Sequence, residues 1–404
     1  MDPNRKDTAT YAFILGNHPD LSIAELSAVL PEAVFPALGR DIVLLEGPVI
    51  PDPQGFLDRL GGSQKIYAVR SSFEGSDEAP IFASILDLVR PTKEKGKSNF
   101  AVNCYGRVPR LFQKNAILGT KKTLQAEGYS MRFSNLEFRN VSGGKTTHDK
   151  IMKKGREVGV FFTGDKALVS ELVAVQDVAQ YGQRDYHKPE RDMAIGLMPP
   201  KLAQVMLNLA GLKPGQSFYD PFCGTGGILV EGVGMGLKCY GSDISPEAVE
   251  KAKHNLAWIL DRKGADMKDA PHKLFVKDAR SLDSISFPFD AIVTEGYLGP
   301  TLSREVDEGR MQGIEKQLSD LHIPFLRSLS KYLSRHPVPI VMCLPVFQTA
   351  RGLRHCSDLL DSIRSLGYTP TRLLPDGDAT SLVYARSGQK VGREIFRFGY
   401  HVRE

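Results

Sequence analysis

The stretch Ser217-Phe-Tyr-Asp220-Pro-Phe222-Cys223-Gly224-Thr225-Gly226-Gly227 joins an aromatic, strand-like run to a glycine turn and then to the apolar start of a helix, Ile228 to Gly232. Three glycines in four positions let the backbone turn sharply and approach a ligand closely, while the helix start offers free N–H groups to an anion. Asp243 follows 23 positions after Asp220, behind a second strand-like run from Leu237 to Gly241. A carboxylate at the end of that second strand is placed to accept both hydroxyls of a ribose. The chemistry predicted is retention of a nucleoside cofactor, with Asp220, Phe222, Cys223, Gly224, Thr225, Gly226, Asp243 and Ile244 around it. A tight βα turn that binds nothing has the same outline; the glycines and the spaced acid arriving together favour the cofactor.

Two cofactor classes share this geometry. The dinucleotide fingerprint needs its third glycine where this chain carries Leu229, which disfavours a nicotinamide oxidoreductase. S-Adenosylmethionine has no pyrophosphate, so its site asks only for a turn wide enough for the methionine end.

The elements that must position this turn are spread over 404 residues, enough for two or three domains. A hydrophobic fraction of 42% and a charged fraction of 25% are those of a water-soluble chain with ample core. No apolar run approaches 18 residues and Met1 to Thr10 is polar, which predicts a cytoplasmic protein. The five cysteines form no C-x-x-C pair, so buried thiols are expected and no metal site. The net charge of +5 is unevenly distributed: residues 1–90 hold 7 Lys+Arg against 13 Asp+Glu, residues 91–160 hold 15 against 5. Such a local excess is the footprint of a polyanion-binding surface, with a plain solvated lysine-rich face as the alternative.

Strands at 11–16, 41–46 and 65–70 alternate with helices at 23–29 and 55–61, predicting a ferredoxin-like α+β domain over 1–90. Ser22 and Glu25 are spaced as a capping box for the first helix. Past a helix at 81–88, a strand at 99–104, a helix within 108–127 and strands near 136–142 and 157–163 compose a second small domain over 91–175. Its candidate polyanion contacts are Arg107, Arg110, Lys114, Lys121, Lys122 and Arg132. Gly143-Gly-Lys145-Thr-Thr147 lacks the leading glycine of a phosphate loop and reads as a strand-end turn exposing Lys145. Residues 176–195 read as a linker. A catalytic domain over 196–404 then opens on a helix whose start is set by Pro199 and Pro200.

The segment 91–175 resembles, in layout, a THUMP domain, the small α/β module that grips the acceptor end of tRNA. The run from Arg184 through Asn255, with Pro-Pro-Lys-Leu-Ala203, Asp-Pro-Phe-Cys-Gly-Thr-Gly-Gly227 and Gly-Ser-Asp243-Ile-Ser, resembles the THUMP-containing tRNA guanine-N2 methyltransferases. That resemblance implies a Rossmann-like class I fold, a mostly parallel sheet closed by an antiparallel hairpin. It also implies S-adenosylmethionine as cofactor, tRNA as partner, and Asp278 with Ala279 beside the adenine. A small activator protein serves some eukaryotic relatives; no residue pattern here encodes one.

The fourth strand of the resembled enzymes delivers Asp-Pro-Pro-Tyr, whereas this chain reads Glu295-Gly-Tyr297-Leu-Gly-Pro300. An exocyclic guanine amine is a weak nucleophile because its lone pair is delocalised into the ring. A carboxylate that accepts its N–H bonds and an aromatic face that holds the base are what transfer requires, and Glu295 and Tyr297 supply these types. A charge-assisted hydrogen bond contributes about 1.5–3 kcal/mol and base stacking about 1–3 kcal/mol. The target base must leave its stack to reach them. The expected function is methylation of a guanine N2 amine in tRNA; the rival is a non-catalytic RNA-binding protein on a vestigial methyltransferase fold. On the terminal hairpin, Arg386, Lys390, Arg393 and Arg397 are expected to be solvated.

Overall fold

The computed structural model describes residues 8–36, 39–75, 77–91, 97–148, 151–191, 197–267, 272–282, 285–386 and 388–402. It divides into two compact units, Met1–Pro19 with Glu32–Gln180, and Asp20–Pro31 with Tyr181–Glu404.

The first unit is built on one sheet. Its strands are β1 (Thr8–Leu15), β2 (Ile42–Pro48), β3 (Ser63–Glu74), β4 (Lys97–Gly106), β5 (Ser130–Phe133), β6 (Gly155–Thr163) and β7 (Lys166–Val175), paired in the order β2-β1-β3-β7-β6-β4-β5. Strand β3, before residue 90, pairs along its length with β7, so the segments 1–90 and 91–175 share a single sheet. Between β1 and β2 the chain leaves this unit: α1 (Pro19–Val29) belongs to the second. There Leu21 and Ala24 join the core, and Asn208 Nδ2 donates to Glu25 Oε1 at 2.7 Å. Glu25 is fully buried, so its carboxylate serves a tertiary bond, and the helix starts a turn before the expected capping box.

Helices α2 (Pro53–Asp58), α3 (Glu78–Val89), α4 (Phe112–Ala126), α5 (Gly143–His148) and α6 (Ile151–Lys154) complete the first unit. In α4, Phe112, Ala116, Ile117, Thr120 and Leu124 form the buried stripe and leave Lys114, Leu118, Lys121 and Lys122 on the opposite face. The strand expected near 136–142 is a 3₁₀ turn, Leu136–Phe138, and the true strand is the earlier β5, parallel to β4. Side chains occupy the edge of β4 that a strand there would use: Val102 N donates to Asn135 Oδ1 at 3.0 Å and Cys104 N to Asn140 Oδ1 at 2.9 Å. The 143–147 turn is helical in α5, drawn in by the buried Thr146.

The segment expected as a linker contains α7 (Val178–Tyr186), which starts in the first unit and passes into the second at Tyr181, and whose first N–H groups are capped by Asp177. Then follow α8 (Pro200–Leu209), β8 (Ser217–Asp220), α9 (Gly227–Gly234), β9 (Lys238–Asp243), α10 (Pro246–Arg262), β10 (Lys273–Val276), β11 (Ala291–Thr294) and α11 (Glu308–Leu333). The chain ends with β12 (Ile340–Thr349), β13 (Gly352–His355), α12 (Ser357–Ser365), β14 (Tyr368–Pro370), β15 (Ser381–Tyr384) and β16 (Val391–Tyr400). The sheet runs β10-β9-β8-β11-β12-β16-β14, parallel from β10 to β12, with β16 antiparallel to β12, β14 and β15. Strands β8 and β11 are buried at every position, as in a sheet covered on both faces. The expected terminal hairpin is present as β15 and β16. All five cysteines are buried and free, and no described helix is long and apolar enough to cross a membrane.

Candidate active site

From β8 the chain runs to β9 and β10 on one side and to β11 and β12 on the other, so the strand order reverses between β8 and β11. Ligands of open α/β sheets bind at that reversal, beyond the carboxyl ends of the strands. Asp220 and Thr294 are the last residues of the two strands, and Thr294 Oγ1 donates to Asp220 Oδ1 at 2.7 Å. The same oxygen accepts from Phe222 N at 3.1 Å. Asp220 is 2% exposed, and burial pushes its carboxyl up to about 7 against the opposing pull of these two bonds.

The glycine turn follows at once. Gly224 and Gly226 have φ of +50° and +79°, the left-handed region that a side chain would disfavour, and a Cβ on Gly226 would meet Ala252 of α10 at 3.2 Å. Asp243 holds the turn open: its Oδ2 accepts from Gly224 N at 3.0 Å and its Oδ1 from Ser245 N at 2.9 Å. A carboxylate has about four acceptor sites, so two remain for a diol. Asp220, Phe222, Cys223, Gly224, Thr225 and Asp243 line a cavity whose far wall is Glu295, Gly296 and Tyr297. The glycine turn and the fourth-strand turn therefore face one another across one space.

Residues 189–296 match the model of the UPF0020 family, described as an RMKL-like methyltransferase domain. The tRNA (guanine(10)-N2)-dimethyltransferase of Pyrococcus abyssi is 30% identical over 324 residues, 77% of this chain and 85% of that protein. The chain belongs to the tRNA guanine-N2 methyltransferase family. Its Methanothermobacter thermautotrophicus relative of the same name is 41% identical over a shorter stretch, 34% of this chain and 38% of that one. Among solved structures, TrmN from Thermus thermophilus shares the fold with a TM-score of 0.53 and 17% identity, covering 97% of this chain and 100% of that one. The nicotinamide reading is thereby set aside; Leu229 is a fully buried core residue.

In this methyltransferase the atypical fourth turn has a partner that its local sequence does not reveal. Arg393 of β16 donates Nε to Glu295 Oε1, with side-chain exposures of 8% and 21%. Arg393 was expected in solvent; instead it is buried, because the β16 register sets it beside Pro345 on the inner strand β12. Arg386 is exposed as expected, with Nε donating to Tyr384 Oη at 3.1 Å. Gly296 has φ +70°, and a Cβ there would sit 3.2 Å from the His322 ring, so this turn is shaped by a close approach. His322 is fully buried and burial lowers it to about 4. Tyr297 is 38% exposed.

Asp278 follows β10, whose last residue, Val276, lies beside Asp243 of β9 in parallel register. It caps the 3₁₀ turn Ala279–Ser281 through Arg280 N at 2.8 Å and pairs with the Arg280 guanidinium at 2.7 Å, which lowers its carboxyl below the usual range. Its carboxylate stays partly exposed; Ala279 lies in the core, and Ile244 is 62% exposed. Two residues escaped the sequence reading. Asn255 is fully buried and ties the glycine turn to the segment before α8: Nδ2 donates to Thr225 O at 2.8 Å and Glu190 O at 3.0 Å, and Oδ1 accepts from Glu190 N at 2.9 Å. Its signal was an amide within the apolar stripe Val249, Ala252, Leu256, Ile259 of α10. Lys188, buried and lining the cavity, sat in the supposed linker.

The basic candidates lie in the first unit. Arg107, Arg110, Lys114, Lys122 and Arg132 are exposed, and Lys121 is half-buried. Lys114 Nζ lies 5.5 Å from the Phe138 ring and Lys121 Nζ 5.5 Å from the Phe133 ring, and the two rings stack at 5.9 Å.

Proposed function

We propose that this chain transfers a methyl group from S-adenosylmethionine to the exocyclic N2 amine of a guanine in tRNA, guanine 10 by the names of its relatives. The observation that carries this reading is the single cavity lined by both the glycine turn with Asp243 and by Glu295 with Tyr297. The residues fit the cofactor. Gly224 and Gly226 leave the turn clear of side chains, and Asp243 has acceptor capacity for the ribose hydroxyls. Bound there, S-adenosylmethionine supplies an electrophilic methyl group on a sulfonium.

Glu295 accepts an N–H of the guanine amine, which returns electron density to the nitrogen as its lone pair turns toward the methyl. As the N–C bond forms and the C–S bond breaks, with S-adenosylhomocysteine as leaving group, the nitrogen's surplus proton passes to this carboxylate. Arg393 fixes the carboxylate in place, so little reorganisation is needed when charge develops on the amine. Tyr297, at the cavity mouth, offers a face for the extruded base. We further assign the basic part of the first unit, including Arg107, Arg110, Lys114, Lys121, Lys122 and Arg132, to RNA binding in the manner of a THUMP domain. Support comes from its charge and from the stacked Phe133 and Phe138 beneath two of its lysines. Free buried thiols fit a reducing compartment, and we place the protein in the cytoplasm.

The test is incubation with methyl-labelled S-adenosylmethionine and unmodified tRNA transcripts, followed by digestion to nucleosides and by primer-extension mapping. Label in N2-methylguanosine or its dimethyl form, absent with Glu295→Ala, is expected. Cofactor and tRNA binding with no labelled nucleoside would instead support the vestigial, RNA-binding reading.

A further inference from the structure

Lys188 is a buried cation in the cavity wall. It is 6% exposed, and among the described residues it makes no hydrogen bond or ion pair; Asp185 and Glu231 act on it only as more distant charges. Glu231 already accepts from Arg184 Nε at 2.8 Å. Two residues past Lys188, the chain is anchored by Asn255, which bonds both backbone groups of Glu190 and, with the same side chain, Thr225 of the glycine turn. The second cation of the wall, Lys251, pairs with Glu247 at 2.7 Å. The remaining carboxylates there are those of Asp220, Asp243 and Glu295.

A buried ammonium without an anion is costly, and a ligand that brings one removes the cost. The wall asks for a molecule with hydroxyls or a cation for the acids and an anion for Lys188. We infer that Lys188 anchors the α-carboxylate of the cofactor's methionine end, a positioning residue that selects ligands carrying the amino-acid tail. This rests on the S-adenosylmethionine reading above.

Calorimetric titration with two probes separates the possibilities: S-adenosylhomocysteine, which has the carboxylate, and 5′-methylthioadenosine, which lacks the amino-acid tail. Lys188→Met is expected to weaken S-adenosylhomocysteine about 10- to 100-fold, the range of one charge-assisted bond, and to change methylthioadenosine less than about threefold. Lys188→Arg is expected to recover most of the loss. Parallel weakening of both probes would overturn the inference in favour of a structural counter-charge for Glu231. Unchanged affinity for both would place the carboxylate elsewhere. A wild-type protein that binds neither probe would overturn the cofactor reading itself.

Discussion

Both units bury charge, and they treat it in opposite ways. In the first, Lys65 and Glu157, each 2% exposed, are paired inside a closed set of partners. Glu157 Oε1 accepts from Lys65, Tyr67 and Asn103, its Oε2 from Thr146, and Lys65 also donates to Val141 O and Thr146 Oγ1. In the second, Asp220, Asp243, Lys188 and Glu295, the last held by Arg393, line a cavity and keep bonding capacity in reserve. The difference is instructive. A buried charge whose donors and acceptors are all used holds a fold together, whereas one that faces a cavity with capacity left over is prepared for a ligand.

The sharpest way to break this contrast is to open the closed network. Glu157→Ala leaves Lys65 buried without its counter-ion and should destabilise the first unit by about 3–5 kcal/mol, read by urea unfolding, with cofactor affinity unchanged. A loss under about 1 kcal/mol would show that the network does not hold the first unit together. On the other side, Glu295→Ala should leave S-adenosylhomocysteine affinity within about threefold while lowering the single-turnover methylation rate by about 10²–10³. Equal losses in binding and rate would make Glu295 a structural residue like Glu157.

The pH dependence of stability sharpens the same contrast. Asp220 is raised by burial to about 7 in the folded protein, against about 3.9 for an unperturbed aspartate. Between those values the folded state keeps a proton that the unfolded chain has released, so stability is full below about pH 4 and falls as pH rises through about 7. Glu231, also raised to about 7 by burial, adds in the same direction. Asp220→Asn should flatten the slope by one proton, up to about 1.4 kcal/mol per pH unit, since the amide oxygen can still accept from Thr294 and Phe222. Urea midpoints measured from pH 4 to 8 check this; an unchanged slope would remove Asp220 as its source. The smallest effect belongs to the exposed face of α4: Lys114→Ala and Lys122→Ala should each reduce the salt slope of tRNA affinity by about 1 and leave cofactor binding alone.

The turn at Asp220 to Gly227 and the acid at Asp243 were legible in the amino-acid order because their chemistry is local. Glycines that must take positive φ, and an acid one βα unit further on, announce themselves within some two dozen positions. The parallel run of strands and the closing hairpin were legible for the same reason, through continuous apolar stretches and turn residues. A misreading came where a residue has both a local and a distant use. Ser22 and Glu25 fit a capping box, yet Glu25 serves Asn208, 183 positions away.

Sequence alone thus determined the cofactor turn, the class of fold and the uneven charge of the chain, since each depends on neighbours along the backbone. Tertiary structure decided that Glu295 is held by Arg393, 98 residues downstream, that α1 enters the core of the second unit, and that Lys188 is sealed into the cavity wall. The physical reason is common to all three. Burial and ion pairing depend on distance in space, and a charged side chain carries no local mark of whether water or another charge will be its partner.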